Sequence, residues 1–165
     1  MHIDAIRKAL LKGNSPSLQR RRKIALLSVF GILDFCLISL YQLGIIKSMP
    51  DPPGKIFDSA KANGSRDAYQ FGAPDGPISL LMYAGNILLA SALGSRKSGR
   101  PPVFDLLLGG LIAGSVLGSI NYMYSMIFKQ QKACPYCITG ALLNFAMIPY
   151  AYPEVKASLQ EMYKD

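Results

Sequence analysis

Long uncharged apolar blocks, separated by polar and basic segments, constrain the fold of this 165-residue sequence most strongly. About 20 apolar residues are enough for a helix to cross the hydrocarbon core of a membrane. Blocks 24–46 and 103–128 reach that length, and block 24–46 is also too long for the apolar core of a secretory signal. Blocks 78–93 and 138–152 are shorter and need flanking residues. We therefore predict an all-α integral membrane protein with a bundle of four transmembrane helices.

The basic residues flank these blocks unevenly and predict an orientation. Twelve of the 18 lysines and arginines lie in segments 1–23, 94–102 and 153–165, and the other six lie in 47–77 and 129–132. Because short cytoplasmic segments carry the excess of basic residues, both termini are expected in the cytoplasm. Segment 47–77, which is rich in turn dipeptides, then becomes a long exported loop between the first two helices. This topology accounts for the net charge of +8, so binding to nucleic acid is not favoured.

The same pattern divides the chain into three parts. Residues 1–23 are predicted to form a basic cytoplasmic segment, 24–152 the transmembrane domain, and 153–165 a cytoplasmic tail. In the first part, apolar residues recur at helical spacing and indicate a short amphipathic helix on the membrane surface: Ile3, Ile6, Ala9 and Leu10. In the third block, small residues recur every four positions and predict the close approach of a neighbouring helix: Gly110, Gly114 and Gly118.

The strongest motif is Cys134-Pro135-Tyr136-Cys137, which precedes the fourth apolar block. Two thiols with this spacing can lie on one side of the first turn of a helix and close a disulfide. Free backbone N–H groups at a helix start, together with the helix dipole, stabilise a thiolate. Pro135 suits the first helical position because its missing N–H is not needed there. The motif therefore predicts a reactive pair at a helix N-terminus.

A Cys-x-x-Cys motif can also bind zinc, attach haem or form a structural disulfide. A structural zinc site needs about four ligands, but the chain has three cysteines and one distant histidine, His2. Haem attachment would need a histidine where Ile138 stands. A structural disulfide stays open, although so small a loop removes little entropy from the unfolded chain. The redox-active interpretation is favoured over these.

Two further residues of the first block are chemically notable. Asp34 lies near its midpoint, where a charged aspartate costs about 2.5 to 3.5 kcal/mol on insertion, so it should face the protein interior. It either handles protons or forms a hydrogen bond with a neighbouring helix, and the sequence favours neither. Cys36 lies about 200° around the helix from Asp34 and is expected to be a packing residue.

The chain resembles the vitamin K epoxide reductase family. Residues Cys134-Pro135-Tyr136-Cys137-Ile138-Thr139-Gly140-Ala141 are similar to the bacterial form of the family motif, and the order of blocks over 24–152 is similar too. The resemblance implies a four-helix membrane bundle whose Cys-x-x-Cys pair works against a quinone held between the helices. Cys137 would face the quinone, and Cys134 would exchange disulfides with a thioredoxin-like exported protein.

The sequence also departs from that family. Segment 47–77 lacks the cysteine pair that relays electrons in many members, and Ala141 stands where vertebrate members have a tyrosine at the quinone. Reduction of vitamin K epoxide itself is therefore not predicted. Direct exchange between Cys134 and the thiols of a partner remains chemically feasible, because a mixed disulfide needs only access and thiolate character.

The resulting hypothesis is a thiol–quinone oxidoreductase of a membrane of bacterial inner-membrane type, with Cys134 and Cys137 as catalytic residues and the quinone as cofactor. Four polar residues of the second and third helices are candidates for contacting the quinone carbonyls, with hydrogen bonding between helices as the alternative role: Asn121, Tyr122, Asn86 and Tyr83. A second hypothesis is a membrane scaffold of the same fold in which the cysteine pair is a structural clip. Electron flow in the opposite direction, from quinol to exported disulfides, is a third.

Overall fold

A computed structural model describes residues 3–69, 72–93 and 100–163 of the chain. The predicted basic turn at 94–102 lies mostly outside these ranges, including Arg96 and Lys97, and so does His2. Six α-helices occur in the described residues: α1 Ile3–Lys12, α2 Pro16–Gln42, α3 Ser59–Asn63, α4 Asp75–Ser91, α5 Val103–Tyr124 and α6 Pro135–Met162. A 3₁₀ turn, Arg66–Tyr69, follows α3, and a π-helical segment, Ser125–Gln130, extends α5. The all-α prediction is confirmed.

Within the described ranges, two helices are long and apolar enough to cross a membrane: α2, and α5 with its π-helical extension. The outer faces of the long helices also carry exposed leucines, with Leu33 at 66% exposure and Leu117 at 67%. An apolar surface of this kind is stable against lipid rather than water. The chain is therefore a membrane protein.

The four long helices pack side by side. α2 contacts α4 and α6, and α5 contacts the same two helices on the other side. Their shared core holds Ile24, Tyr83, Leu108 and Met147. Gly31 of α2 lies directly against the Tyr83 ring, where an added Cβ would come within 2.4 Å of the ring carbons. A glycine is therefore required where α2 and α4 cross.

Helix α6 continues to Met162 although Pro149 and Pro153 lie inside it, whereas the sequence predicted that the fourth block ends near Pro153. Each proline removes one helical hydrogen bond. Buried polar contacts at the far end of the bundle hold the extension in place. Glu154 accepts hydrogen bonds from Ser17 Oγ at 2.5 Å and Arg20 Nε at 2.7 Å. Tertiary contacts thus outweigh the local break.

The small-residue stripe of α5 does not make the predicted close helix contact. An added Cβ at Gly110 or Gly118 would meet nothing within 4 Å, and at Gly114 it would meet only Met82 Cε, at 3.6 Å. The close contact lies one residue away, where a Cβ on Gly109 would come within 2.3 Å of Val155 Cγ2 of α6. The stripe instead turns towards open space and, at Gly114 and Gly118, towards a cavity.

Candidate redox site

The cysteine pair lies at the start of α6, as predicted. Cys134 is the N-cap residue, Pro135 occupies the first turn, and the Cys134 Sγ accepts a hydrogen bond from the Cys137 backbone N–H at 3.2 Å. A sulfur in this position takes the place of the side-chain oxygen that usually caps a helix. Both cysteines are free thiols in this structure. The helix start therefore holds the Cys134 sulfur among hydrogen-bond donors.

The described part of the loop between α2 and α4 (residues 43–69 and 72–74), called the covering loop below, folds over this pair. Asp58 N donates to Ala133 O at 3.0 Å, and Ala133 N donates to Ile56 O at 2.8 Å, so the loop pairs with the residue before Cys134. Tyr136 Oη donates to Pro50 O at 2.6 Å and fastens the loop on the outer side. Cys134 is consequently 0% exposed.

Asn63, the last residue of α3, lies between the two sulfurs. Its Nδ2 is 3.3 Å from Cys134 Sγ, and Cys137 Sγ donates to its Oδ1 at 3.5 Å. Asn63 is itself 1% exposed. Asn63 is not predictable as a site residue, because it lies 71 positions from Cys134 and turn dipeptides such as Asn63-Gly64 indicate only a loop.

The hydrogen bonds around Cys134 favour its ionised form. Hydrogen bonding from the Cys137 side chain is the largest cause, and the Ser59 side chain, the Cys137 backbone N–H and Asn63 add to it, against the opposing effect of burial. Together they lower the pKa of the Cys134 thiol from 9.0 to about 6. Hydrogen bonds donated to a thiolate stabilise the charged form relative to the thiol. Cys134 is therefore the nucleophilic member of the pair at neutral pH.

A cavity of about 490 Å³ opens beside the second sulfur. Cys137 lies in its wall and Phe35, Met82 and Leu117 give it an apolar lining, to which Gly114 and Gly118 contribute backbone. Its size falls within the range of about 300 to 1,000 Å³ that is typical of small-molecule sites. An apolar, ring-shaped ligand can thus reach the Cys137 sulfur from between the helices.

Three of the four predicted quinone contacts line this cavity: Tyr83, Asn121 and Tyr122. Both tyrosine hydroxyls already donate to backbone carbonyls, Tyr83 to Gly140 O at 3.2 Å and Tyr122 to Ala62 O at 2.7 Å. Both hydroxyls therefore take the alternative role, a hydrogen bond to a neighbouring element. Tyr83 holds α4 against α6, and Tyr122 holds the covering loop against α5. Asn86 does not line the cavity. It is fully buried, and its Nδ2 points at Met147 Sδ, 3.9 Å away.

Other polar residues of the cavity were not predicted as site residues: Asn63, Asp75, Ser79, Ser115, Ser119 and Asn144. Asn144 donates to Ser119 Oγ at 2.8 Å, while its buried Oδ1 has no hydrogen-bond partner. Asp75, the first residue of α4, accepts from Gln42 Nε2 at 2.5 Å. Asn144 lies in the largely apolar block 138–152. Its polar side chain is the sequence signal that could have identified it as a cavity residue.

The two notable residues of the first block point in different directions. Asp34 is half-buried, and its Oδ2 lies 3.5 Å from where a Cβ on Gly140 of α6 would stand. That oxygen is buried and has no hydrogen-bond partner. Cys36 is exposed on the outer surface of α2 and is therefore not the packing residue that was expected. Neither residue joins the cysteine pair.

Residues 23–152 match the family model described as "Vitamin K epoxide reductase family". The matched segment includes the four long helices over most of their length, the covering loop, the cavity and both cysteines. No individual curated protein is similar enough to the chain to give a match. The family match agrees with the resemblance inferred from the cysteine motif.

Proposed function

The chain belongs to the vitamin K epoxide reductase family of membrane oxidoreductases, and from this premise we propose that it is a thiol–quinone oxidoreductase. In this proposal electrons pass from the thiols of an exported, thioredoxin-like partner through Cys134 and Cys137 to a quinone. The observation that carries the proposal is the position of the pair, with Cys137 in the wall of an apolar cavity and Cys134 at the N-cap of α6, beneath the loop between α2 and α4.

The proposed chemistry divides between the two sulfurs. A partner thiolate attacks the Cys134 sulfur of the oxidised pair, the Cys134–Cys137 bond breaks, and a mixed disulfide forms. A second partner thiol resolves it, so the partner gains a disulfide and the pair gains two electrons, with Cys137 as the thiol and Cys134 as the thiolate. A bound quinone would accept the two electrons, one proton from Cys137 and one proton from water, and would leave as hydroquinone while the pair closes again. The low pKa of Cys134 makes it the better nucleophile for closing the disulfide.

The residues of the cavity fit a quinone. Phe35, Met82 and Leu117 provide apolar contacts for a ring. Asn121 and Ser79 line the cavity with groups that can donate hydrogen bonds to ring oxygens. Asp75, whose carboxylate accepts from Gln42 Nε2, lies in the same wall. Tyr83 and Tyr122 can take that role only by giving up their present backbone acceptors.

The proposal places all four long helices across the membrane. α4 has 17 residues, which is short for a span but within the usual range of about 17 to 25. The charge distribution then puts residues 1–23 and 153–165 in the cytoplasm and the cysteine pair on the exported side of a membrane of bacterial inner-membrane type. That compartment is where disulfides form and persist.

Exchange at Cys134 requires the covering loop to move aside, because the sulfur is completely buried. The contacts that fasten the loop near the sulfur include the two hydrogen bonds to Ala133, the Tyr136–Pro50 hydrogen bond and the Tyr122–Ala62 hydrogen bond. Each hydrogen bond contributes about 0.5 to 1.5 kcal/mol. In the proposal, partner binding replaces these contacts when it exposes Cys134.

The test uses the full chain in lipid nanodiscs with a reduced thioredoxin-like donor and a short-chain quinone. Cys134→Ser and Cys137→Ser should each abolish quinone reduction, whereas Cys36→Ser, which changes a cysteine on the outer surface, should leave it intact. A rate like that of the unsubstituted protein in either of the first two variants would exclude the mechanism.

Burial of Cys134 and the absence of loop cysteines also favour a second candidate function, a membrane scaffold in which the pair is a structural clip. Trapping separates the two. When Cys137 is changed to alanine, an active Cys134 thiolate should attack the disulfide of the oxidised donor and accumulate a mixed disulfide, with the donor's second sulfur released as a thiol. A structural clip should give none.

A further inference from the structure

Asn63 is the side chain that distinguishes the two cysteines from each other. Its amide group touches both sulfurs, and it does so from the loop rather than from the helix that carries them. Within the Cys-x-x-Cys motif, the backbone N–H and the thiol of Cys137 both act on Cys134. Asn63 adds a donor at the Cys134 sulfur and an acceptor at the Cys137 sulfur.

The orientation of this amide follows from a third contact. Asn63 Nδ2 lies 2.8 Å from the backbone carbonyl oxygen of Ser59. A carbonyl oxygen only accepts hydrogen bonds, so the atom facing it must be the NH₂ nitrogen. The other terminal atom, which faces Cys137, must then be the oxygen. One amide hydrogen is used on Ser59, and the second remains for the Cys134 sulfur.

This orientation assigns opposite roles to the sulfurs. Cys134 Sγ receives two N–H groups, from Asn63 at 3.3 Å and from the Cys137 backbone at 3.2 Å, as a thiolate requires. Cys137 Sγ faces a carbonyl-type oxygen, which can accept an S–H proton but would repel a thiolate. The arrangement is buried, and in a dry environment such contacts act strongly.

Asn63 itself is held on several sides. Its backbone carbonyl accepts from Gln42 Nε2 at 3.2 Å, and the preceding Ala62 carbonyl accepts from Tyr122 at 2.7 Å. The covering loop therefore brings the amide to the sulfurs in one fixed position, and the same amide also lines the cavity beside Cys137.

We propose that Asn63 is the third side chain of the redox centre: in the reduced pair its NH₂ group holds Cys134 as the thiolate, and its carbonyl oxygen keeps the proton on Cys137. The proposal rests on the proposed function, since it specifies which sulfur exchanges disulfides and which keeps a proton beside the quinone. The chemical outcome is a pair with one negative charge and one proton before the quinone is reduced.

The test is a titration of the reduced protein without quinone or partner, followed by thiolate absorbance near 240 nm in a Cys36→Ser background. The first thiolate to form is assigned to Cys134 by its loss in Cys134→Ser. Asn63→Ala should move its midpoint upward by about one pH unit, the value of one hydrogen bond to a charged group. Asn63→Asp, which keeps the size but adds a carboxylate, should move it further.

Asp58→Ala is the matched control. Asp58 caps the N-terminus of α3 through Lys61 N at 2.9 Å, so its loss weakens the same short helix without touching a sulfur. Unshifted midpoints in both Asn63 variants, or an equal shift in Asp58→Ala, would overturn the proposal and leave Asn63 as loop packing.

A measurement on the Asn63-containing protein covers the case in which the variants fail to fold. The Asn63 side-chain amide NMR signals should move with the same midpoint as the thiolate absorbance, and signals that do not follow it would contradict the proposal. The titration contains no quinone and therefore tests the role of Asn63 alone. If the proposed function is wrong, a protein that titrates as expected will fail to reduce quinone in the separate activity assay.

Discussion

Filling the cavity from α5 should weaken quinone binding without harming the fold. Gly118 lines the cavity, and an added Cβ there would meet no atom within 4 Å, so the first atom of a larger side chain has room at this position. Gly110 lies two turns away on the same helix, has equally open surroundings and is not part of the cavity lining. Gly118→Leu and Gly110→Leu are therefore a matched pair.

The magnitude follows from burial and helix propensity. Replacing glycine by leucine in a helix interior stabilises it by up to about 1 kcal/mol, and this applies equally to both variants. In Gly118→Leu the quinone must also give up contacts with a leucine-sized part of the cavity. Burying such a side chain is worth about 1.5 to 3 kcal/mol, which corresponds to a roughly 10- to 150-fold increase in Kd.

Single-turnover oxidation of the reduced protein, measured over a range of short-chain quinone concentrations, gives the half-saturating concentration for each variant. Gly118→Leu should raise it by one to two orders of magnitude, and Gly110→Leu should leave it unchanged. Equal half-saturating concentrations in both variants and in the parent protein would show that quinone does not bind in this cavity.

Three further predictions concern pH, access and stability. Because the pKa of Cys134 falls from 9.0 to about 6 on folding, its ionisation should stabilise the reduced protein fully above pH 9 and no longer below pH 6. Between those values the stability of the reduced protein, relative to the oxidised one, should fall by about 1.4 kcal/mol for each pH unit of acidification. Thermal melts should show this dependence, and Cys134→Ser should abolish it. Tyr136→Phe removes the hydrogen bond to Pro50 and should speed alkylation of Cys134 roughly 2- to 12-fold, so an unchanged rate would mean that this bond does not hold the cover closed. Asp105→Ala leaves the buried charge of Arg100 without its carboxylate partner at 2.9 Å and should cost about 3 to 5 kcal/mol in the free energy of unfolding, while the thiolate titration stays as it was.

The elements around the cysteine pair were predictable because their signals are local. Apolar blocks predict helices, and a Cys-Pro dipeptide before such a block predicts where a helix starts, so Cys134 lies at the N-cap of α6 as expected. The contribution of Asn63 was not predictable, since the loop must fold back across 71 positions to bring it there. Hydrogen-bond partners such as Gly140 O for Tyr83 depend on helix packing and leave no mark in the sequence.

The continuation of α6 past Pro153 was likewise not predictable, because it depends on contacts between residues far apart in the sequence. A proline is a local signal for a helix end, but Glu154 is buried against Ser17 and Arg20 of α2, 137 and 134 positions away. The prediction that the glycine stripe of α5 packs closely against a neighbouring helix was wrong for a similar reason. Its four-residue period is typical of helix contacts, but a cavity wall equally needs small residues, and only the neighbouring helices determine which of the two applies.

The proposed function requires that two electrons leave the Cys134–Cys137 pair for a quinone in the neighbouring cavity. The most direct measurement mixes the fully reduced chain, in nanodiscs and without oxygen, with quinone, and follows hydroquinone formation together with the Cys134–Cys137 disulfide by mass spectrometry. We predict one disulfide for each hydroquinone formed. Thiols that remain free in excess quinone would contradict the account.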